Sequence, residues 1–303
     1  MAPLNYYHGF ILPHRYGLSI QPLTHWLRDR AKALALSLLL GLCLIIVIYG
    51  LMEYLPALWW LASALTVILL SLLLTRLTPK FLIPLFFKLK PLEEGELKEK
   101  LLNLTKRARV NIKNVLTMNL SSKATTANAM LSGWGKSRRI IFSDTLLQGY
   151  SGDEIEVTLA HELGHHLHHD IAKLTAIQAV VVLLAFYLAN HCLKAGVVLF
   201  PFQGISDLAA LPWLILVLAM LILIFQPLLN WYNRRIELAA DKSALELSNN
   251  PQAFINLMTK LTDQNLSEAE PSKWAKLLFH DHPTYNERVT LARDYTVSCE
   301  PKP

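Results

Sequence analysis

Cysteine is scarce in this sequence. The 303 residues hold three, Cys43, Cys192 and Cys299, far apart from one another. Such spacing argues against a disulfide framework and against a thiolate zinc site. Charge is thin too, at 17% of residues against 53% hydrophobic, and mean hydropathy is +0.32. The sequence has no internal repeat and no low-complexity tract, and in the absence of a nucleic-acid motif no nucleic-acid partner is expected. Polar and mixed residues up to Lys32 precede the first apolar run, and no cleavable signal peptide is expected. Cys299 stands in Cys-Glu-Pro-Lys-Pro, which is not a prenylation box.

What is present is a set of long runs without charge. Lys32 and Glu53 bracket 20 uncharged residues, and Glu53 and Arg76 bracket 22. A third run covers Leu174 to Leu193, and a fourth has its core from Leu211 to Leu229. Each is long enough to cross a hydrocarbon core of about 30 Å. Four such runs predict an integral membrane protein with four transmembrane helices. Asn190 and His191 fall near the outer end of the third, where the histidine is expected to reach the interface.

Basic residues set the expected orientation. Arg15, Arg28, Arg30 and Lys32 precede the first run, while Arg76, Lys80, Lys88 and Lys90 follow the second. The loop around Glu53 has no Lys or Arg, the third-to-fourth connection has only Lys194, and Arg234 and Arg235 follow the fourth. This bias predicts that both termini and the middle segment are cytoplasmic. The net charge of +6 then suits anionic headgroups.

Between the second and third runs stands His161-Glu162-Leu163-Gly164-His165. Histidines four apart fall on one helix face and can share a zinc ion, one per chain, and the intervening glutamate is placed to take a proton from a metal-bound water. A catalytic zinc needs a third protein ligand. Glu237 is the best candidate, because an antiparallel pair of spans returns the chain to the level it left. Asp241, one turn later, can support a ligand histidine, and Ala239 and Ala240 permit close helix approach. Asp170 lies too near along the same helix to close the site. His166, His168 and His169 read as a polar collar at the interface.

The expected fold is mainly α, with a cytosolic zincin-like α+β catalytic domain containing a small sheet. Residues 1–32 form an N-terminal segment and 33–77 a transmembrane hairpin. Residues 78–172 carry the first part of the catalytic domain, 173–231 the second hairpin and 232–303 the rest. Phe81 to Pro91 reads as an interfacial segment and Leu92 to Val110 as a charged helix. Strands are expected at Val115–Leu120, Thr126–Ser132 and Arg139–Ser143, the last two joined around Gly133-Trp134-Gly135-Lys136-Ser137. Ser151 and Glu154 form a capping-box signature for the histidine helix, which no proline separates from the third span. Further helices are expected at Glu237 to Leu247, Pro251 to Leu261 and Tyr285 to Tyr295.

These residues resemble the zinc metallopeptidases that comprise the type I CAAX prenyl endopeptidases and the HtpX-type membrane proteases. The resemblance rests on His161 to His165 and on Glu237 with Asp241. It extends to Pro91-Leu92-Glu93-Glu94-Gly95-Glu96-Leu97, Asn128-Ala129, Arg139 to Leu147, and His282-Pro283-Thr284-Tyr285-Asn286-Glu287-Arg288, covering roughly 79 to 294. It implies a membrane zinc endopeptidase with Glu162 as general base. It also implies roles for His282 and Arg288 at the oxyanion and substrate, and for the strand with Asn128 and Ala129 as the platform for a protein or peptide substrate. The four spans match the HtpX count, whereas the local motifs are those of the CAAX branch, so quality control and peptide processing both stay open. A metal-bound scaffold without activity is the reading from another class, and the presence of Glu162 argues against it. A metal transporter would need ionisable groups at mid-span, and the spans are nearly free of them.

Overall fold

The computed structural model describes residues 2–133 and 138–299, so the turn expected at 134–137 and the residues after Cys299 lie outside the described residues. Two short helices, α1 (Ala2–Tyr6) and α2 (Leu12–Arg15), precede the long α3 (Leu23–Tyr54) and α4 (Trp59–Leu77). A π-helical turn and α5 (Ile83–Phe86) lead to β1 (Leu89–Pro91), α6 (Glu96–Arg107), β2 (Asn114–Met118), β3 (Ala129–Ser132) and β4 (Arg139–Ser143). Then come α7 (Asp144–Gly149), α8 (Gly152–Leu167), α9 (Asp170–Leu199) and α10 (Leu211–Ser248). The chain closes with α11 (Pro251–Gln264), α12 (Lys273–Phe279) and α13 (Tyr285–Cys299). The fold is mainly helical with a small mixed sheet, as expected, and it includes four helices long and apolar enough to cross a membrane: Leu23–Tyr54, Trp59–Phe86, Asp170–Leu199 and Leu208–Ser248.

The chain divides into two compact units. One comprises Arg28–Leu77 and Ile171–Leu229. Its core gathers Met52, Trp59, Ala64, Phe186, Ala189, Leu193 and Leu214. Most of its other apolar side chains face outward, which suits a hydrocarbon surround. Gly196 has no side chain because the indole of Trp213 lies against its Cα, donating to the carbonyl of Cys192 at 3.1 Å. Asn190 is buried and accepts from Trp59 Nε1 at 2.9 Å. In an apolar setting that pairing satisfies both groups. Pro227 sits inside α10, where its missing N–H interrupts one helical bond.

The other unit comprises residues to Leu27, Thr78–Asp170 and residues from Asn230 onward. Its sheet has the order β1-β2-β4-β3, with β2 parallel to β4 and the two outer pairs antiparallel. β4 is central and covered on both faces. Ile140 and Phe142 join the core built by Leu101 and Leu104 of α6, Ile155, Leu159 and Leu163 of α8, and Phe254 of α11. Ile141 faces the other way, toward Leu116 and Met118, with Phe87 packed over them. That alternation is the two-residue period of a strand.

Two expectations are corrected. The segment Phe81 to Pro91 is not all interfacial: it continues a helix to Phe86 and then pairs Leu89–Pro91 with β2. Pro91 fits because it ends an edge strand, where a missing N–H removes no ladder bond. The histidine helix also does not run on into the third span. α8 stops at Leu167, His169 takes φ +56°, and α9 starts at Asp170. A left-handed residue breaks helical propagation without any proline.

Candidate metal centre and active site

The start of α8 is fixed first. Ser151 and Glu154 form the capping box, and Lys260 of α11 donates to Glu154 Oε2 at 2.7 Å. With Leu159 and Leu163 buried on one side, the opposite face carries His161 and His165. Their Nε2 atoms lie 3.1 Å apart. On α10, Glu237 brings one carboxylate oxygen to 3.4 Å from His161 Nε2 and the other to 3.3 Å from His165 Nε2. A tetrahedral zinc with bonds of about 2.1 Å has ligand–ligand edges of about 3.4 Å. Two imidazole nitrogens and a carboxylate oxygen with these separations fit that ion, and they form the cluster suited to metal among the described residues.

Gly164 decides how close the two helices come. A Cβ there would stand 3.0 Å from the carbonyl oxygen of Ala240 and 3.0 Å from Ser243 Cβ. Glycine lets α10 come this close without displacement, and Ala240 is fully buried at the contact.

Each histidine is held from behind by a carboxylate. His161 Nδ1 lies 2.9 Å from Asp241 Oδ1, and His165 Nδ1 lies 3.1 Å from Asp170 Oδ2. Asp241 has no exposed side-chain surface and is gripped by Arg288, whose Nε donates to Oδ2 at 2.7 Å and whose Nη2 reaches Oδ1. The break at His169 is what turns Asp170 back to His165. These bonds leave each Nε2 facing the cluster.

Burial alone would lower both histidine pKa values. The bonds of His161 to Asp241 and Glu237 outweigh it and raise that pKa to about 10, and Glu237 does the same in direction for His165. Burial pushes the Glu162 carboxyl up, against the pull of His161 and His165. Arg288 is held above the usual guanidinium range by Asp241, despite its burial.

A cleft of about 550 Å³ opens over these groups, with Asn128 and Ala129 on one wall and Phe279, His282 and Arg288 among the others. β3 is an edge strand of the sheet, at the end opposite β1. Asn128 bonds to Ser143 of β4, whereas the Leu131 N–H turns outward to Glu162 Oε2 at 3.3 Å. Alternation along the strand points the backbone groups of Ala129 the same way. His282 stands 3.7 Å from Glu237 through Nε2 and 2.8 Å from Asp281 through Nδ1, with 60% of its side chain exposed.

Of the residues singled out from sequence, His161, Glu162, His165, Glu237, Asp241 and His282 gather here, with Asn128 and Ala129 at the rim. Arg288 reaches the site through Asp241. Glu287 lies apart, bonded to Lys276 and Thr284. His168 bonds to Ser243 at 2.9 Å. Asp170 is the functional neighbour that sequence reasoning set aside. Its signal was an aspartate directly ahead of a long apolar helix, the mark of a new helix start.

Four membrane-length helices and a metal-fitting His-Glu-His set beside an edge strand define an integral-membrane metallopeptidase. Peptidase family M48 matches residues 91–296, and a CAAX prenyl protease N-terminal region described with five membrane helices matches residues 1–88. The chain belongs to peptidase family M48, and it is a multi-span membrane zinc metalloprotease. It is 30% identical to the metalloprotease YhfN of Bacillus subtilis, over 94% of this chain and 68% of that one. It is 31% identical to the CAAX prenyl protease 1 homolog of Oryza sativa, over 96% and 69%. Its fold is that of the S. mikatae Ste24p crystal structure, with TM-score 0.87 and 24% identity over 96% of this chain and 72% of that one.

Proposed function

We propose that the chain is an endopeptidase that binds one zinc ion through His161, His165 and Glu237 and cuts membrane-associated proteins or peptides held in extended form along β3. One observation carries this reading. The Glu162 carboxylate lies 3.3 Å from an outward N–H of the edge strand and on the same helix as both imidazoles. A peptide that adds to β3 through backbone bonds therefore passes the base and the donor triad together.

A bound zinc supplies Lewis acidity at the scissile carbonyl and lowers the pKa of a water toward neutrality. Glu162 takes the proton from that water and passes it to the leaving amine. His282, exposed at the cleft and steadied by Asp281, is the donor for the developing oxyanion or a contact to substrate. Arg288 acts one step back, keeping Asp241 ionised and in line behind His161.

The excess of Lys and Arg beside the termini and the middle segment supports a cytoplasmic active site. Similarity to proteins named CAAX prenyl protease 1 supports a processing role on lipid-anchored chains. The test is mass spectrometry of peptides incubated with zinc-loaded, detergent-purified protein, with Glu162→Gln as control. Paired substrates with and without a C-terminal isoprenoid separate the two substrate classes. New termini made by wild type alone are expected. Identical peptide pools for wild type and variant, at stoichiometric zinc, would sink the peptidase reading.

A further inference from the structure

α12 is seven residues long and strongly apolar on its outer side. Trp274 is 74% exposed and Phe279 79%, with Leu277 and Leu278 each more than a third exposed. Trp274, Leu277 and Leu278 stand at i, i+3 and i+4, which places them in one stripe. Lys273 flanks that stripe at the first helical position. In water this face would be a liability.

The helix is tied to the segment of chain that directly follows a span. Asn230, almost wholly buried, donates to the carbonyl of Leu278 at 2.8 Å. Arg234 Nη1 donates to the carbonyls of Lys276 at 2.9 Å and His280 at 2.5 Å. Both anchors belong to α10, directly after the apolar run that ends at Leu229. At 1.5 Å per residue, Arg234 lies about 8 Å beyond Leu229. A helix that leaves the hydrocarbon crosses a headgroup layer about 5–8 Å thick on each side, so residues within about five positions of the end of a span are expected at that level. Trp231 marks the same level: it is 43% exposed, with the Arg235 guanidinium 4.3 Å from its ring centroid. An aromatic paired with a basic group just past a span is the signature of a membrane interface.

We propose that α12 lies in the bilayer interface, with Trp274, Leu277 and Leu278 in contact with lipid, and forms the membrane-side lip of the cleft. Its far end enters the active site, because Phe279, His280 and His282 line the cleft. The partner is the lipid surface itself. The lip gives a membrane-anchored peptide a short path from the headgroup layer to β3, and gives no such help to a peptide arriving from water.

The test has two arms. Trp274→Cys is made in a Cys43→Ser, Cys192→Ser, Cys299→Ser background, labelled with an environment-sensitive dye and placed in nanodiscs. Quenching by lipids carrying a nitroxide near the top of the acyl chain, with little quenching by aqueous iodide, is expected. Strong iodide quenching would put α12 in water and overturn the proposal. Shielding from both quenchers would mean that protein, such as a second copy of the chain, covers it, which overturns it equally. This arm needs no activity, so it stands apart from the peptidase reading on which the second arm rests. There, Trp274→Glu should slow cleavage of a lipid-anchored peptide in nanodiscs by about tenfold while leaving the same peptide in soluble form within about twofold. Equal rates on both substrates, or equal losses, would overturn the presenting role.

Discussion

The two imidazoles of the triad look alike from the metal side and differ behind. His161 is backed by Asp241, which comes from 80 residues away, has no exposed surface, and is clasped by Arg288 of yet another helix. His165 is backed by Asp170, five residues on, across a two-residue break in its own helix. One support exists only once three helices have docked. The other can form as soon as the turn at His169 does. The first therefore couples metal binding to the global fold, and the second to local backbone geometry.

Removing Asp241 tests that contrast most severely. Asp241→Ala leaves the Arg288 cation buried without its partner and should cost about 3–5 kcal/mol of stability. Thermal unfolding measures this, and a zinc competition titration should show affinity lower by about 10–100-fold. Replacing both members, as Asp241→Leu with Arg288→Leu, should recover most of the stability and none of the zinc affinity. Recovery of both would mean that Asp241 serves only the ion pair.

On the other side, Asp170→Asn should weaken zinc by about tenfold with a much smaller change in unfolding temperature. A stability loss as large as that of Asp241→Ala would erase the difference between the two supports.

Protons provide a third handle. His161 has its pKa raised to about 10 by Asp241 and Glu237, above the ordinary 6.5. In chelated protein its contribution to stability is therefore full below pH 6.5 and lost as pH rises through about 10. The protonated ring cannot bind metal, so zinc loading should become harder as pH falls. Denaturant titrations of chelated protein from pH 6 to 10 should show the decline, and Asp241→Asn should flatten it.

The smallest effect is expected at the turn. His169 holds φ +56°, which costs least for glycine and most for a β-branched residue. His169→Gly should stay within about 1 kcal/mol of wild type, while His169→Ile should lose about 1–2 kcal/mol and some zinc affinity. Equal behaviour of the two variants would separate the turn from the support of His165.

The same contrast explains what could be read from sequence. The spans, the His-Glu-His helix and its capping box are local patterns, expressed in runs of residues with a fixed period. Glu237 was within reach because two spans of similar length must bring the chain back. Asp170 was hidden by the assumption of one unbroken helix: nothing in His168-His169 forbids αR, so the left-handed residue that ends the helix at this point leaves no mark in the sequence. The grip of Arg288 on Asp241 joins helices 47 residues apart, and no spacing rule encodes it. β1 was masked because its lysine and proline are the same residues that mark an interfacial segment. α12 was missed because its seven residues are too few to display a helical period.

Gly164 has a consequence beyond packing. The gap it keeps between α8 and α10 sets how far Glu237 stands from the two imidazoles, and so acts as a gauge for the radius of the ion. A methyl group there pushes α10 away by a few tenths of an ångström, since the contacts are already at 3.0 Å. The donor set would then suit ions larger than zinc, and discrimination between metals would shift without any change in the ligands themselves.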